Sequence, residues 1–274
     1  MIHCTTNKTT TLCGQAIATV IADSISPVGK RITTLELVYP RYIHSEFMTH
    51  RMFSRNASSS RATPLKVTLE EVCLDPVFFD YVGVNKAGMV AGEELTGEEL
   101  EAFKREWEAL GVLVASHVAK MGDTYGIHKQ TLNRALEPWS RIRTLVTATE
   151  WDNFFTLRLA PDAQPEIQSL AKAMSKAMSV SKPRETPVHL PYITDEEFSS
   201  EVRGDWWKIC AARCARVSYA RHDGKPTDRE ADLTLANRLL ESGHYTPFEH
   251  CAYSQGGKFA NYVGWRSMRN ILGF

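Results

Sequence analysis

Residues 46–61 read EFMTHRMFSRNASSSR, and the rest of the chain is organised around them. The run holds His50, the arginines Arg51, Arg55 and Arg61, Asn56, and the hydroxyl side chains of Thr49, Ser54, Ser58, Ser59 and Ser60. Ile43, Phe47, Met48 and Met52 recur at helical spacing, which predicts a helix over 41–53 with one buried face. Past Ser54 the apolar pattern stops, so 55–61 reads as a polar loop leaving a helix end. Guanidinium forks, hydroxyls and free backbone N–H groups are what a phosphate or a nucleotide needs. A solvated Ser-rich turn has the same composition. Upstream, residues 16–24 and 31–38 are β-branched with partial alternation around a Pro27-Val28-Gly29 turn. They predict two strands, the second running through Pro40 into the helix.

The chain has 274 residues, 43% of them hydrophobic, enough for one large core or two small ones. Lys+Arg and Asp+Glu are both 32, so the formal charge is zero. A generic nucleic-acid binder would carry a basic excess, and no nucleic-acid partner is expected. The cysteines are Cys4, Cys13, Cys73, Cys210, Cys214 and Cys251, with no CxxC pair. They read as buried free thiols of a reducing cytoplasm, and no metal site is expected. No run of about 18 apolar residues occurs and no signal peptide opens the chain, so a cytoplasmic protein without a membrane partner is expected.

Further along, residues 1–14 have little pattern and read as a loosely held start. Residues 62–93 give no clear element. Thr96 and Glu99 form a capping box. Leu100, Phe103, Trp107, Leu110, Val114 and Val118 then make one stripe, predicting an amphipathic helix over 97–121. Glu166 to Val180 continues as a helix with Ile167, Leu170, Ala171, Met174 and Met178 inward. Residues 181–191 hold three prolines and read as an exposed connection. Residues 196–217 read as a helix with Trp206, Trp207, Ile209 and Cys210 partly buried. Thr227 and Glu230 suggest another capping box, and the helix carrying Ala231, Leu235, Ala236 and Leu239 is stopped by Gly243. After His250 come a strand-like run and a predicted helix over 259–270.

Three ordered blocks carry chemistry. The first is His50-Arg51, Ser54, Asn56, Ser59 and Arg61. The second is Arg134, Leu136 and Pro138, followed by Asn153-Phe154-Phe155-Thr156-Leu157-Arg158 and Ala163-Gln164-Pro165-Glu166-Ile167-Gln168. The third is Ala215-Arg216-Val217-Ser218-Tyr219 with Gly243-His244-Tyr245-Thr246-Pro247-Phe248-Glu249-His250. Together they resemble the flavin-dependent thymidylate synthase family. That family carries Arg-His-Arg-x-x-Ser-x-Asn-Glu-x-Ser-x-Arg-Tyr, Asn-Phe-x-x-Leu-Arg, and Gly-His-x-Ser/Thr-Pro-Phe-Glu-His. The chain departs at Thr49 (family Arg), Ala57 (family Glu) and Ala62 (family Tyr). The block order also departs. The third block comes first in the common form, so the chain resembles a circularly permuted single domain. Residues 30–170 hold the second half of the pattern and 212–250 the first. The stretch 259–270 loosely echoes the family's entry helix, as though the strand–helix element occurred twice.

The resemblance implies an α+β fold, a mixed or antiparallel sheet flanked by helices. It implies transfer of a one-carbon unit from 5,10-methylenetetrahydrofolate to C5 of dUMP, with FAD and NADPH, in a homotetramer whose sites lie between subunits. The cofactor carries the hard chemistry and the protein positions and polarises. By position, His50, Arg51, Asn56, Asn153, Ser218, Thr246 and Glu249 would cradle FAD. Glu46 (family Gln), Ser59, Arg61, Arg134 and Arg158 would hold dUMP. Arg158, Ser59 and His244 would stand nearest the reacting atoms, Ser59 as a binder, since no base is adjacent. No cysteine lies where a thiolate nucleophile would be needed, although Cys251 adjoins a motif. A hydroxymethylase using the same sites and a non-catalytic flavin or nucleotide module remain open.

Overall fold

The computed structural model describes residues 9–200, 204–218 and 228–274. The chain begins with a meander of three antiparallel strands, β1 (Thr10–Cys13), β2 (Ala16–Ile25) and β3 (Arg31–Pro40). A 3-10 turn (Arg41–Ile43) and a single helical turn, α1 (His44–Phe47), lead to strand β4 (Ser54–Ala57). Two helices follow, α2 (Leu65–Leu74) and the long α3 (Gly97–Tyr125). A short α4 (Lys129–Leu132) and a 3-10 segment (Asn133–Trp139) feed strand β5 (Arg141–Ala148). Helices α5 (Asp152–Arg158) and α6 (Pro165–Val180) precede the two-residue strands β6 (Arg184–Glu185) and β7 (Val188–His189). Then come α7 (Asp195–Ser200), α8 (Trp206–Arg216), α9 (Arg229–Glu241) and a 3-10 turn (Thr246–Glu249). A hairpin of β8 (Ala252–Phe259) and β9 (Tyr262–Ser267) and the terminal turn α10 (Met268–Ile271) close the chain.

The main sheet runs β1-β2-β3-β5-β4, antiparallel along that path. β6 adds in parallel at Ser24 and Ile25, beyond the part of β2 that β1 covers. A second sheet is β7-β8-β9. The expected α+β class with an antiparallel sheet is therefore what the chain forms. α6 lies on one sheet face. Its Ile167, Leu170, Ala171, Met174 and Met178 are buried as the spacing predicts, against Leu35, Leu37 and Val146. Fully burying each such side chain contributes about 1.5–3 kcal/mol. The opposite face is covered by α8, α9 and the second sheet. Because β3 and β5 are covered on both faces, Thr33, Thr34, Thr144 and Thr147 sit at 0% exposure in mid-strand.

Thr33 donates to Asp23 and Thr144 pairs with the Tyr39 hydroxyl, while Thr34 and Thr147 meet two buried histidines. Ser24 Oγ meets His189 Nδ1 at 2.8 Å, and His189 Nε2 meets Thr34 Oγ1 at 2.7 Å. Thr34 meets Thr147 at 2.6 Å, and Thr147 meets His250 Nδ1 at 2.8 Å. Five side chains thus form one continuous hydrogen-bonded line across β2, β3 and β5 of the main sheet, with His189 supplied by β7. Burial pushes both imidazoles down to about 3, with His250 adding a further lowering at His189.

Several sequence expectations are corrected. The helix over 41–53 is two short turns. Ile43 and Phe47 are buried, but Met48 is 42% exposed, and Arg55 donates to the carbonyls of Phe47, Met48 and His50 and so terminates the element. The polar loop over 55–61 begins as strand β4, because Ser54–Ala57 pair with Thr144–Thr147 of β5. Thr96 does cap α3 by position, but makes no side-chain capping bond, and the buried stripe runs through Gly111, Ala115 and Val118 while Leu110 is exposed. A Cβ on Gly111 would stand 2.9 Å from Trp139 Nε1, so only glycine allows this approach. Residues 181–191 are not simply exposed, since they carry β6, β7 and the buried His189. Residues 196–217 form two helices, α7 and α8. α9 is capped by Asp228, whose carboxylate accepts from Ala231 N; Thr227 lies outside the described residues, as do Cys4 and Tyr219. Cys210, Cys214 and Cys251 are buried free thiols, whereas Cys73 is exposed. Of the predicted helix over 259–270, residues 259–267 lie in the β8–β9 hairpin and only its end enters the short turn α10; the strand-like run after His250 is β8. The start is held from Thr10 onward by β1.

Candidate functional site

α1 and its following turn present Glu46, Thr49 and His50 to α5, where Asp152–Arg158 brings Asn153 and Arg158 alongside. Arg158 Nε donates to His50 Nε2 at 2.9 Å. Its Nη2 reaches Thr49 Oγ1 at 3.4 Å and its Nη1 stands 3.5 Å from Glu46 Oε2. To accept from a guanidinium, His50 must be neutral at Nε2. Burial, then the charges of Arg158 and Arg55, hold its pKa down to about 4. The imidazole stacks near Phe53 and meets Phe154 edge-on, which fixes its plane. Thr49 in turn donates to Glu46 O at 2.7 Å. Thr49, His50, Phe53, Phe154 and Arg158 wall a cleft of ≈ 420 Å³ together with Arg51 and Asn153. Arg51 and Asn153 form no side-chain hydrogen bond or ion pair among the described residues.

A second cluster lies at the sheet edge. Asn56, on β4, donates through Nδ2 to Cys214 O at 2.7 Å and accepts through Oδ1 from Ser218 Oγ at 2.6 Å. Ser59 N approaches Ser218 O at 3.5 Å, and its hydroxyl accepts from Arg61 N at 3.3 Å. The turn Thr246–Glu249 packs against β4. Thr246 is exposed on it and His244 is exposed just before it, while Glu249 accepts from Arg269 at 2.5 Å. The first and third sequence blocks are thereby joined, and the C-terminal segment closes over β4, with Asn261 Nδ2 donating to Met52 O and Ser54 Oγ.

Not every expected residue is drawn in. Arg134 is exposed and pairs with Glu137 at 2.8 Å, and Arg61 is exposed. Among the described residues, no hydrogen bond or ion pair joins Arg61, Arg134 and Arg158. Within this chain the arginines of the C-terminal segment do not stand in for the family arginine at Thr49. Arg266 lies on β9 bonded to Asn270, and Arg269 is committed to Glu249. Sequence reasoning missed Arg55, whose three backbone bonds shape the turn carrying His50. It also missed His189, which no motif signals.

The first two sequence blocks thus meet around Arg158 and His50, and the first and third around Asn56 and Ser218. The family model described as thymidylate synthase complementing protein matches residues 17–184, and the chain belongs to that family. Among solved structures, flavin dependent thymidylate synthase ThyX from Helicobacter pylori complexed with FAD and dUMP is 21% identical (54% of this chain, 67% of that chain, TM-score 0.39). A second ThyX structure from Helicobacter pylori with FAD and dUMP is 20% identical over the same shares, at a TM-score of 0.36. A UMP/dUMP methylase, PolB from Streptomyces cacaoi bound with 5-Br UMP, is 15% identical (62% of this chain, 92% of that chain, TM-score 0.47). Among curated proteins, none matches significantly.

Proposed function

We propose that the chain transfers a one-carbon unit from 5,10-methylenetetrahydrofolate to C5 of dUMP, giving dTMP, with FAD as the hydride carrier and NADPH as its reductant. The observation that carries this is Arg158, anchored by His50, Thr49 and Glu46 at the mouth of a cleft inside the family match. The donor set there suits FAD. Arg51 and Asn153 line the cleft uncommitted, and His244 and Thr246 are exposed on the adjoining segment, as phosphates and ring edges require. Reduced FAD supplies the hydride when bound.

The chain's own residues bind and polarise. Arg158 donates to the uracil carbonyl edge and stabilises the ring as it loses the N3 proton or gains electron density. His50 stays neutral, so it holds Arg158 without competing for the anion. Glu46 adds a second anchor and selects for the uracil edge by where it sets the guanidinium. Ser59 binds the nucleotide through its hydroxyl, and Arg61 and Arg134 take the phosphate with guanidinium forks. Asn56, Ser218, Thr246 and Glu249 complete the flavin side. Arg61 and Arg134 stand apart from Arg158 in one chain, which supports sites completed between subunits of a homotetramer. The Asn56–Ser218 bond supports a permuted single domain, with 212–250 supplying the first half of the site and 30–170 the second.

A second reading, in which water instead of hydride finishes the reaction and 5-hydroxymethyl-dUMP forms, needs the same nucleotide and folate sites. Purified protein incubated with dUMP, methylenetetrahydrofolate, FAD and NADPH, followed by mass analysis of the nucleotide, separates the two. The protein is expected to purify yellow. A colourless protein that neither quenches FAD fluorescence nor changes dUMP would refute both readings.

A further inference from the structure

Helix α3 (Gly97–Tyr125) turns Gly111, Ala115 and Val118 towards the rest of the chain. On the adjoining face Leu110, Leu113, His117 and Met121 follow one another at steps of three or four residues and so form a second stripe. Leu110 is 45% exposed, Leu113 54% and Met121 40%, and His117 is exposed between them. Large apolar side chains grouped in the open mark a surface that another body covers.

The charges beside the stripe say which body. Arg105, Glu106, Lys120 and Asp123 lie along the same side of it, at its two ends, and all four are exposed. Among the described residues, no hydrogen bond or ion pair reaches any of them. Glu106 and Lys120 stand about 21 Å apart along the axis, and Arg105 and Asp123 about 27 Å, so neither pair can close within one chain. Both pairs are nearly symmetric about Leu113. A second α3 laid antiparallel, with a two-fold axis at Leu113, sets Glu106 of each copy opposite Lys120 of the other. The same register brings Arg105 of each copy towards Asp123 of the other. Each contact occurs twice, as a two-fold interface requires. Parallel pairing would instead set each charge against its own copy, and would align the two helix dipoles unfavourably.

We propose that α3 pairs antiparallel with α3 of a second copy of this chain, about a two-fold axis at Leu113. The apolar stripe supplies the attraction and the two charge pairs set direction and register. The surface contains none of the residues assigned to the one-carbon reaction, and the pairing stands whether or not that reading holds.

The test is sedimentation of the full chain across micromolar concentrations. The protein is expected to self-associate reversibly. Leu113→Glu places two carboxylates face to face on the axis and should weaken association at least about tenfold. If the chain also assembles through other surfaces, this variant drops by one step of assembly. Glu106→Lys and Lys120→Glu each set like charges together at both contacts, and each should weaken association about tenfold. An equimolar mixture of these two variants should restore it, because the lysines of one copy then face the glutamates of the other at every contact. The double variant E106K/K120E should restore it too, a rescue that cannot arise inside one chain. All the changed positions are exposed, and circular dichroism checks that the helix persists. A wild-type protein that stays monomeric throughout the range would overturn the proposal. So would a folded Leu113→Glu variant that associates as the wild type does, or a mixture of the two charge variants that associates no more tightly than either alone.

Discussion

Acid should destabilise this protein earlier than its carboxylates alone would dictate, because His189 and His250 are buried in the line from Ser24 to His250. In the unfolded chain both titrate near 6.5, and in the fold burial holds both to about 3. Between those values the unfolded state binds more protons, so stability present above pH 6.5 is lost as pH falls, until about pH 3. Each fully developed histidine contributes a slope of about 1.4 kcal/mol per pH unit. From pH 7 to pH 5 that amounts to roughly 2 kcal/mol each and on the order of 4 kcal/mol together. Urea unfolding at half-unit steps between pH 7 and 5 measures it. His189→Gln and His250→Gln each remove one titrating group, so each variant should lose about 1.4 kcal/mol per pH unit of the slope near pH 5. The slope is the readout, whatever the variants cost at pH 7. A folded variant with the wild-type slope would refute the reasoning, since it would mean that the imidazole it lacks was already charged in the native state.

Three further outcomes are expected. Arg158→Ala should weaken dUMP binding by about 1.5–3 kcal/mol with FAD retained, as equilibrium titration would read; unchanged affinity removes Arg158 from the nucleotide site. Cys251→Ser should keep turnover within an order of magnitude, because the thiol is fully buried with its Sγ directed to Trp207 O and the flavin route needs no thiolate; loss of all activity in folded protein would point to covalent chemistry. Asn56→Ala removes two hydrogen bonds and leaves Ser218 Oγ without its acceptor, so stability should fall by about 1–3 kcal/mol in denaturant titration, and a neutral result would show that the β4 edge is held by packing alone.

Where a segment's side chains repeat with one period, its structure was legible. β2, β3 and α6 follow from β-branched alternation and a 3.6-residue stripe. β4 was not legible, because Ser-Arg-Asn-Ala has no strand propensity of its own and is a strand only through pairing with β5. The strand-like run after His250 is β8, whereas β9 falls in the predicted helix over 259–270 although Tyr262, Val263 and Trp265 favour a strand, because the echo of a motif outweighs propensity there. In the site, the members of each block were legible through their match to the family's pattern. The bond from Arg158 to His50 spans 108 residues and could not be read that way, nor could the partnering of His189, whose proline-rich surroundings look like surface. Arg61 and Arg134 are exposed, and the local partner the fold gives Arg134 is Glu137, so neither is brought to Arg158 within the described residues.

The Asn56–Ser218 bond also sets a clock. Its partners are 162 residues apart, and at about 5–20 residues per second a ribosome takes roughly 8–30 s to travel from one to the other. Through that interval β4 is the outermost strand of a sheet whose inner members are already made, with Asn56 and the backbone around it facing water instead of α8 and the terminal hairpin. An uncovered strand edge is a template for pairing with another chain. The nascent protein therefore passes through a stage in which everything upstream can fold, nothing can yet enclose a ligand at the third block, and neighbouring chains on one message are each other's nearest adhesive surface.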